Sequence, residues 1–185
     1  MSQRPEIRFV ALDASASPVV AALVGQDLHM PPALKAMDQK SGGALTRAAK
    51  AADFKGRAKS SIEILSPEKL EASRLHLIGT AQSESSGELD WMRAGSVAYA
   101  AIHARKTPTA SLYAEAPDKS APSADELAAL LAYGALLRSY NFRKYRTRPA
   151  RENNNGESEP EEKSSILYIH CKSPVSYTHL TLPTN

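Results

Sequence analysis

Strand-like and helical patterns of apolar residues alternate along most of this chain. Short apolar or alternating runs predict six strands, over residues 7–12, 19–24, 62–64, 75–78, 111–115 and 166–169. The run at 19–24 contains no polar residue, which is typical of a strand that is buried on both faces of a sheet.

Helical spacing fills the longest gap between the early strands. Apolar positions recur at this spacing between residues 31 and 54, but Gly42 and Gly43 interrupt them. Because a glycine in a helix interior costs about 1 kcal/mol, we expect either two helices or a break at this point.

Two further helices are predicted in the second half of the chain. One covers residues 89–105. The other begins at a capping box formed by Ser123 and Glu126, and its apolar residues continue at helical spacing as far as Leu137. Strands that alternate with helices, over connections long enough for crossovers, indicate an α/β domain built around a mixed or parallel sheet.

Composition narrows the class of protein. The length of 185 residues gives room for one domain with tails, and 42% hydrophobic and 23% charged residues are typical of a globular protein. The single cysteine, Cys171, excludes an intrachain disulfide and fits a reducing compartment. No run near the N-terminus is long enough to span a bilayer, so we expect a cytoplasmic protein with no membrane partner.

The last part of the chain differs in composition from the rest. All 30 alanines lie at or before Ala150. Residues 149–163 form a charged segment without large apolar side chains, which we interpret as an exposed loop within the domain. After Pro174, the residues VSYTHLTLPT resemble, position by position, the translation of a transposon-type sequencing adapter. We therefore interpret residues 175–185 as an artefactual tail, and expect the native protein to continue beyond about Pro174.

A basic run from Arg138 to Arg151 is the strongest local charge feature. It contains six basic residues, no acidic ones, and three interleaved aromatics, a combination that could bind phosphates and stack on bases. The same cations could instead complement the end of a helix, and five glutamates follow between Glu152 and Glu162. We favour the structural or interfacial interpretation over nucleic-acid binding.

Other candidate chemistry is weak. Gly79 follows a strand, but no second glycine completes a phosphate-binding loop. His170 and Cys171 could be a pair of metal ligands or a nucleophile with its base, although a buried cysteine beside a structural histidine is commoner. The remaining histidines show no metal-binding spacing; they are His29, His76, His103 and His179.

Two segments resemble a known family. Residues 43–56, GALTRAAKAADFKG, resemble the G-A-L-x-x-A…D-F-x-G-K segment in the N-terminal domain of leucyl (cytosol) aminopeptidases. Residues 133–147, YGALLRSYNFRKYRT, are similar to that family's helix ending, G-x-x-L-x-x-Y-x-F-D-x-Y-K-T. The chain departs from the family at Arg143, where aspartate is common, and after Gly79, where a second glycine is frequent.

The resemblance implies a fold, an activity and a set of partners. The implied fold is a macro-domain-like three-layer α/β sandwich around a mixed sheet of about six strands. The implied parent is a homohexameric hydrolase that removes N-terminal amino acids from peptides. Two divalent metal ions, Mn or Zn, in a separate catalytic C-terminal domain would activate the attacking water.

None of the family's catalytic motifs, such as N-T-D-A-E-G-R, occurs in this chain. We therefore assign no catalytic, cofactor-binding or metal-binding residue, and expect the fragment to be inactive. Residues 1–174 are interpreted as the N-terminal, non-catalytic domain of a leucyl aminopeptidase. The alternative is a free-standing macro-like module that binds a nucleotide or a nucleic acid.

Overall fold

A computed structural model describes residues 5–80, 87–104, 107–117, 122–140 and 165–172. The described part contains six strands: β1 (Glu6–Ala11), β2 (Val19–Val24), β3 (Ser61–Leu65), β4 (Arg74–Gly79), β5 (Thr109–Tyr113) and β6 (Ile166–Cys171). It also contains four α-helices: α1 (Pro32–Lys40), α2 (Ala44–Ala51), α3 (Glu88–His103) and α4 (Ala124–Ser139). The predicted charged segment and tail lie outside the described residues.

All six strands form one mixed sheet in the order β1-β6-β5-β2-β4-β3. Neighbouring strands are parallel except for β3, which pairs antiparallel with β4. β6 is the last strand in the sequence, yet it lies between β1 and β5. The predicted α/β class and the sheet of six strands are confirmed.

The central strand β2 separates two cores. Side chains of a strand alternate between the two faces of the sheet, so Val19, Ala21 and Leu23 enter one apolar cluster with α3 and α4. The alternate residues of β2, Val20, Ala22 and Val24, enter a second apolar cluster with α1 and α2. All six residues of β2 are buried, which confirms the prediction for this strand and gives the three-layer arrangement.

Glycines set the packing of α3 against α4. A Cβ atom on Gly95 would overlap the backbone carbonyl of Leu131, and one on Gly134 would overlap the carbonyl of Met92. Two helix backbones can approach this closely only where side chains are absent. The α3/α4 layer is therefore held by direct backbone contact.

The predicted helix boundaries agree with the structure, and one strand is shifted. The break at Gly42 and Gly43 separates α1 from α2, and both glycines have positive φ angles, 63° and 78°. Ser123 caps α4, its Oγ accepting the Glu126 N–H at 3.3 Å. β5 begins and ends two residues earlier than predicted, and Glu115, which was predicted to end the strand, lies beyond it and contacts α1.

Candidate functional site

The carboxyl ends of the parallel strands form the edge where open α/β sheets usually bind ligands. Gly25 follows β2, Thr80 follows β4 and Glu115 lies just beyond β5 at this edge. Along the chain, α1 follows β2, α3 follows β4 and α4 follows β5, so the first turns of these three helices come after strand ends at this edge. Helix N-termini attract anions, because their first N–H groups have no partner within the helix.

A carboxylate of the chain itself occupies the first turn of α1. Glu115 is 8% exposed, and its Oε2 accepts the backbone N–H of Ala33 at 2.7 Å. The negative charge compensates the helix dipole and satisfies a donor that a bound phosphate would otherwise need. The α1 N-terminus is therefore already filled.

Carboxylates also lie at the starts of α2 and α3, although α2 begins beside the last turn of α1 and not after a strand. Asp38 accepts the Thr46 N–H at 3.0 Å through Oδ1, and its other oxygen accepts the Thr46 hydroxyl proton. At the start of α3, Asp90 Oδ2 accepts the Gly87 N–H at 3.4 Å. Of the helices that follow strand ends here, α1 and α3 have a carboxylate at the first turn, whereas α4 is capped by the Ser123 hydroxyl.

The loop between α2 and β3 closes the edge further. Gly56 has a φ of 69°, and a Cβ at this residue would overlap the carbonyl oxygen of Gly25. A Cβ on Gly79 would overlap the carbonyl oxygen of Arg57. Gly56 is the last residue of the D-F-x-G motif. The close contact between this loop and the end of β2 explains why the motif ends in glycine.

A small cavity of about 20 Å³ lies between this loop and α3. Lys59 and Ala58 line it from the loop, Gly79 from the sheet, and Asp90 with Arg93 from the helix. Asp90 and Arg93 form an ion pair at 3.0 Å. A volume of this size holds about one water molecule, so the cavity has no room for an organic ligand.

His170 lies in a buried polar cluster on the α1/α2 face of the sheet. Its Nε2 is 2.9 Å from Ser111 Oγ, which also accepts the Ser17 N–H at 2.8 Å. The Ser111 proton is therefore available to Nε2. The imidazole stacks on Tyr113 with a centroid distance of 4.4 Å, so the cluster ties β5, β6 and the segment after β1 together.

Burial controls the ionisation of this cluster. Burial lowers the pKa of His170 below its usual value, and backbone groups of Ala11 and Leu12 oppose part of that shift. Burial also raises the pKa of the Tyr113 hydroxyl, and the nearby Glu115 carboxylate raises it further. The imidazole is completely buried, so a substrate cannot reach the Ser111–His170 pair.

The structure separates His170 from Cys171. Neighbouring residues of a strand point to opposite faces, and Cys171 packs in the α3/α4 core, with its Sγ 3.7 Å from the Val10 carbonyl oxygen. The two side chains therefore do not form a ligand pair or a nucleophile with its base. Among the described residues, no three metal-ligating side chains are grouped together.

The basic run falls mainly outside the described residues. Arg138 lies in the last turn of α4, and Tyr140 follows it with 57% of its surface exposed. The residues from 141 to 151 are not described. The sequence interpretation of this run as a helix end is confirmed at Arg138 only.

Comparison with known proteins assigns the chain to a family. The sequence model of the cytosol aminopeptidase family's N-terminal domain matches residues 19–149. The chain belongs to the cytosol aminopeptidase family. A probable cytosol aminopeptidase of Afipia carboxidovorans is 31% identical over 148 residues, which are 80% of this chain and 29% of the relative. The chain thus spans less than a third of that relative's length.

Solved structures show the same fold. A tomato leucine aminopeptidase mutant matches 90% of this chain with 32% of its own, at a TM-score of 0.64 and 17% identity. A macrodomain of Oceanobacillus iheyensis matches 92% of this chain with 86% of its own, at a TM-score of 0.61 and 10% identity. A bottromycin maturation enzyme solved with Mn matches 83% of this chain with 26% of its own, at a TM-score of 0.56 and 19% identity. The macro-domain-like architecture of this family's N-terminal domain is therefore confirmed.

Proposed function

We propose that this chain serves as the non-catalytic N-terminal domain of an aminopeptidase that removes N-terminal residues from peptides. The observation that carries the proposal is the match to the family's N-terminal domain over residues 19–149. The parent's catalytic domain would correspond to the part of the relatives that this chain does not match, about 70% of the Afipia protein.

The described part of this sheet edge supports a structural role for the domain. Glu115 and Asp90 lie at the starts of α1 and α3, and the cavity beside α3 admits about one water. A macro-like nucleotide module needs open N–H donors at such positions to bind phosphates. The geometry therefore favours the aminopeptidase interpretation over the nucleotide-binding alternative.

The parent's two divalent metals, Mn or Zn, are placed in the catalytic domain by this proposal. The described residues do not fit such a centre, because their histidines and carboxylates are not grouped. The manganese complex of a structural neighbour supports the use of metal by related enzymes. In the parent, such metals would polarise the scissile carbonyl and activate water.

The proposal also covers the extent and location of the domain. Residues 1–174 would form the domain, with the charged segment 149–163 within it, and residues 175–185 would be foreign to it. The parent would be a cytoplasmic homohexamer acting on peptides. None of the helices in the described part of the chain combines the length and the apolar character that crossing a bilayer requires.

A longer genomic reading frame tests the proposal most directly. We expect the native frame to diverge from the printed sequence after Pro174 and to continue into a segment that resembles N-T-D-A-E-G-R. A native frame that stops near Pro174 would overturn the proposal that the domain is part of a longer aminopeptidase.

Two activity measurements complete the test. The purified chain should not hydrolyse leucyl-p-nitroanilide in the presence of manganese. A chimera that carries residues 1–174 in place of the matched region of the Afipia relative should hydrolyse it. Hydrolysis by the chain alone would show that the active site lies within it.

A further inference from the structure

Helix α4 is apolar on all of its sides. No charged residue occurs from Leu127 to Leu137, a run of eleven residues. The side of the helix that enters the core is buried and includes Leu131 and Ala135. A surface helix ordinarily has charged or polar residues on its outer side, and a helix that is apolar all round is ordinarily buried. The outer side of α4 therefore lacks the residues that are typical of a side facing solvent.

Two large side chains on the outer side of α4 contact solvent. Tyr133 is 43% exposed and Leu137 is 54% exposed. They lie four residues apart, on the same face of the helix and one turn from each other. Leu130, which is partly buried, lies one turn before Tyr133. We call Leu130, Tyr133 and Leu137 the outer stripe; the exposed residues Glu126 and Arg138 lie at its two ends.

The neighbouring helix α3 has an outer side of the ordinary kind. It packs on the same face of the sheet as α4, yet it exposes Glu88, Arg93 and His103. Leu89 is also exposed on α3, but the charged Glu88 is next to it, and single apolar residues are normal on a protein surface. The outer stripe differs because it extends over two helical turns without a charged side chain.

The family's helix-ending motif, G-x-x-L, includes one residue of the outer stripe. Gly134 is the glycine of this motif, and its contact with the Met92 carbonyl excludes a Cβ. Leu137 is the leucine of the motif, and more than half of its surface is exposed. Packing among the described residues thus accounts for the glycine and leaves the leucine without an apolar partner on its outer side.

The size of the outer stripe favours a partner within the same polypeptide. Tyr133 and Leu137 together expose about 200 Å², the surface of one large side chain. Two free proteins that form a stable complex bury about 800 Å² each, so the stripe is too small to hold a second copy of this chain. A tethered domain needs less contact area, because its linker keeps it at a high effective concentration.

The curated relatives contain enough additional chain for such a partner. About 70% of the Afipia relative lies outside the region that this chain matches. A segment of that length forms at least one further domain with its own surface.

We propose that the outer stripe docks against an apolar surface of the parent's catalytic domain, within the same polypeptide. This inference rests on the proposed function, which supplies that domain. The docking surface would also offer an acceptor for the Tyr133 hydroxyl, because a tyrosine that becomes buried usually keeps a hydrogen bond. Glu126 and Arg138 would lie at the polar rim of the contact.

Cysteine labelling with a maleimide tests the proposal in two proteins. One is the chain alone, and the other is the chimera that carries residues 1–174 in place of the matched region of the Afipia relative. Leu137→Cys places a thiol in the stripe, the native Cys171 is buried, and mass spectrometry identifies the labelled peptide. Labelling of Leu137→Cys should be at least about tenfold slower in the chimera, because a docked side chain is screened from solvent. Tyr133→Cys should give the same result.

Leu65→Cys is the matched control. Leu65 is 63% exposed on β3, at the edge of the sheet, and its labelling rate should be equal in the two proteins. An equal rate for Leu137→Cys in both proteins would overturn the inference, whether or not the chimera hydrolyses leucyl-p-nitroanilide. Slow labelling in a chimera that does not hydrolyse this substrate would support docking and count against the proposed function.

The other possible occupants give different results in the same assay. Slow labelling of Leu137→Cys in the chain alone would overturn the inference. It would assign the stripe to a second copy if the rate depended on protein concentration, and to residues 141–164 if it did not. Protection in the chimera that disappears when its oligomers dissociate on dilution would assign the stripe to a neighbouring copy, and would overturn the inference as well.

Discussion

The two helical layers of this domain are held to the sheet by different means. On one face, α3 and α4 touch through their backbones at Gly95 and Gly134, over the larger apolar core. On the other face, α1 and α2 are short, and carboxylates from elsewhere in the chain fix their first turns. The first layer depends on close backbone fit, whereas the second combines an apolar core with charged caps. Substitutions should therefore affect the two layers by different amounts.

Replacing Gly134 by alanine should have the largest effect. In an open helix this change stabilises by about 1 kcal/mol, but here the new Cβ overlaps the Met92 carbonyl. We expect the free energy of unfolding to fall by about 3 kcal/mol. Urea unfolding, followed by the fluorescence of the buried Trp91, measures the change.

Gly87→Ala is the matched control for this prediction. A Cβ at Gly87 meets nothing within 4 Å, and the residue has a φ of −96°. Gly87 is the N-cap residue of α3, where alanine is less favourable than glycine, so the control should cost no more than about 1 kcal/mol. Equal stability of Gly134→Ala and Gly87→Ala would show that the helices can separate without cost.

Replacing Glu115 by alanine should have the next largest effect, on the α1/α2 layer. The change leaves the Ala33 N–H without its acceptor and removes a negative charge from the α1 N-terminus. A loss of about 2 kcal/mol is expected. Amide exchange should rise in α1 and stay unchanged in α4.

The exposed Glu88 in the first turn of α3 provides the control for Glu115. Glu88→Ala should cost no more than about 0.5 kcal/mol. If both glutamates gave the same loss, the buried contact between Glu115 and Ala33 would contribute nothing beyond the helix dipole.

Asp38→Ala should have a smaller effect of the same kind. Its carboxylate satisfies the Thr46 N–H at 3.0 Å, and loss of such a cap costs about 1 kcal/mol. Glu71→Ala is the control, because Glu71 is exposed and lies outside the helices. Faster amide exchange in α2 for Asp38→Ala alone would support the difference, and equal exchange in both would contradict it.

His170→Gln should lower stability at neutral pH, because it removes the buried stack on Tyr113, and it should also reduce the dependence of stability on acid. Burial lowers the pKa of His170 in the folded protein, so the unfolded chain takes up a proton first as the pH falls. Stability should therefore decline below about pH 6.5, the usual histidine value, until the folded pKa is reached. Glutamine removes this contribution and can still bond to Ser111.

Urea unfolding at pH 8 and pH 5 measures this difference for His170→Gln and for the exposed His29→Gln. The wild type and His29→Gln should both lose more stability between these pH values than His170→Gln. An identical loss in all three proteins would mean that His170 does not contribute to acid sensitivity.

Local pattern is enough to predict most of the elements. The apolar run of β2 and the break at Gly42 are visible in the sequence because they depend on neighbouring residues alone. The D-F-x-G motif likewise indicates the family from the residue types and their spacing. The reason why this motif needs a glycine is the contact between Gly56 and the Gly25 carbonyl, and this contact is visible only in the folded structure.

The features that close the sheet edge cannot be found in this way. Glu115 caps a residue 82 positions away in the sequence, and its position beyond a strand gives no sign of its partner. The contact of Gly134 with Met92 depends equally on the crossing of two helices.

The position of β6 has a consequence for synthesis on the ribosome. β6 is made last of the six strands but is inserted between β1 and β5, so the sheet cannot be completed until Cys171 has left the exit tunnel. Until then β1 has no neighbour, and one edge of β5 is open to other chains. A nascent chain stalled before Ile166 should therefore be a client of chaperones, because its first strand has nothing to join.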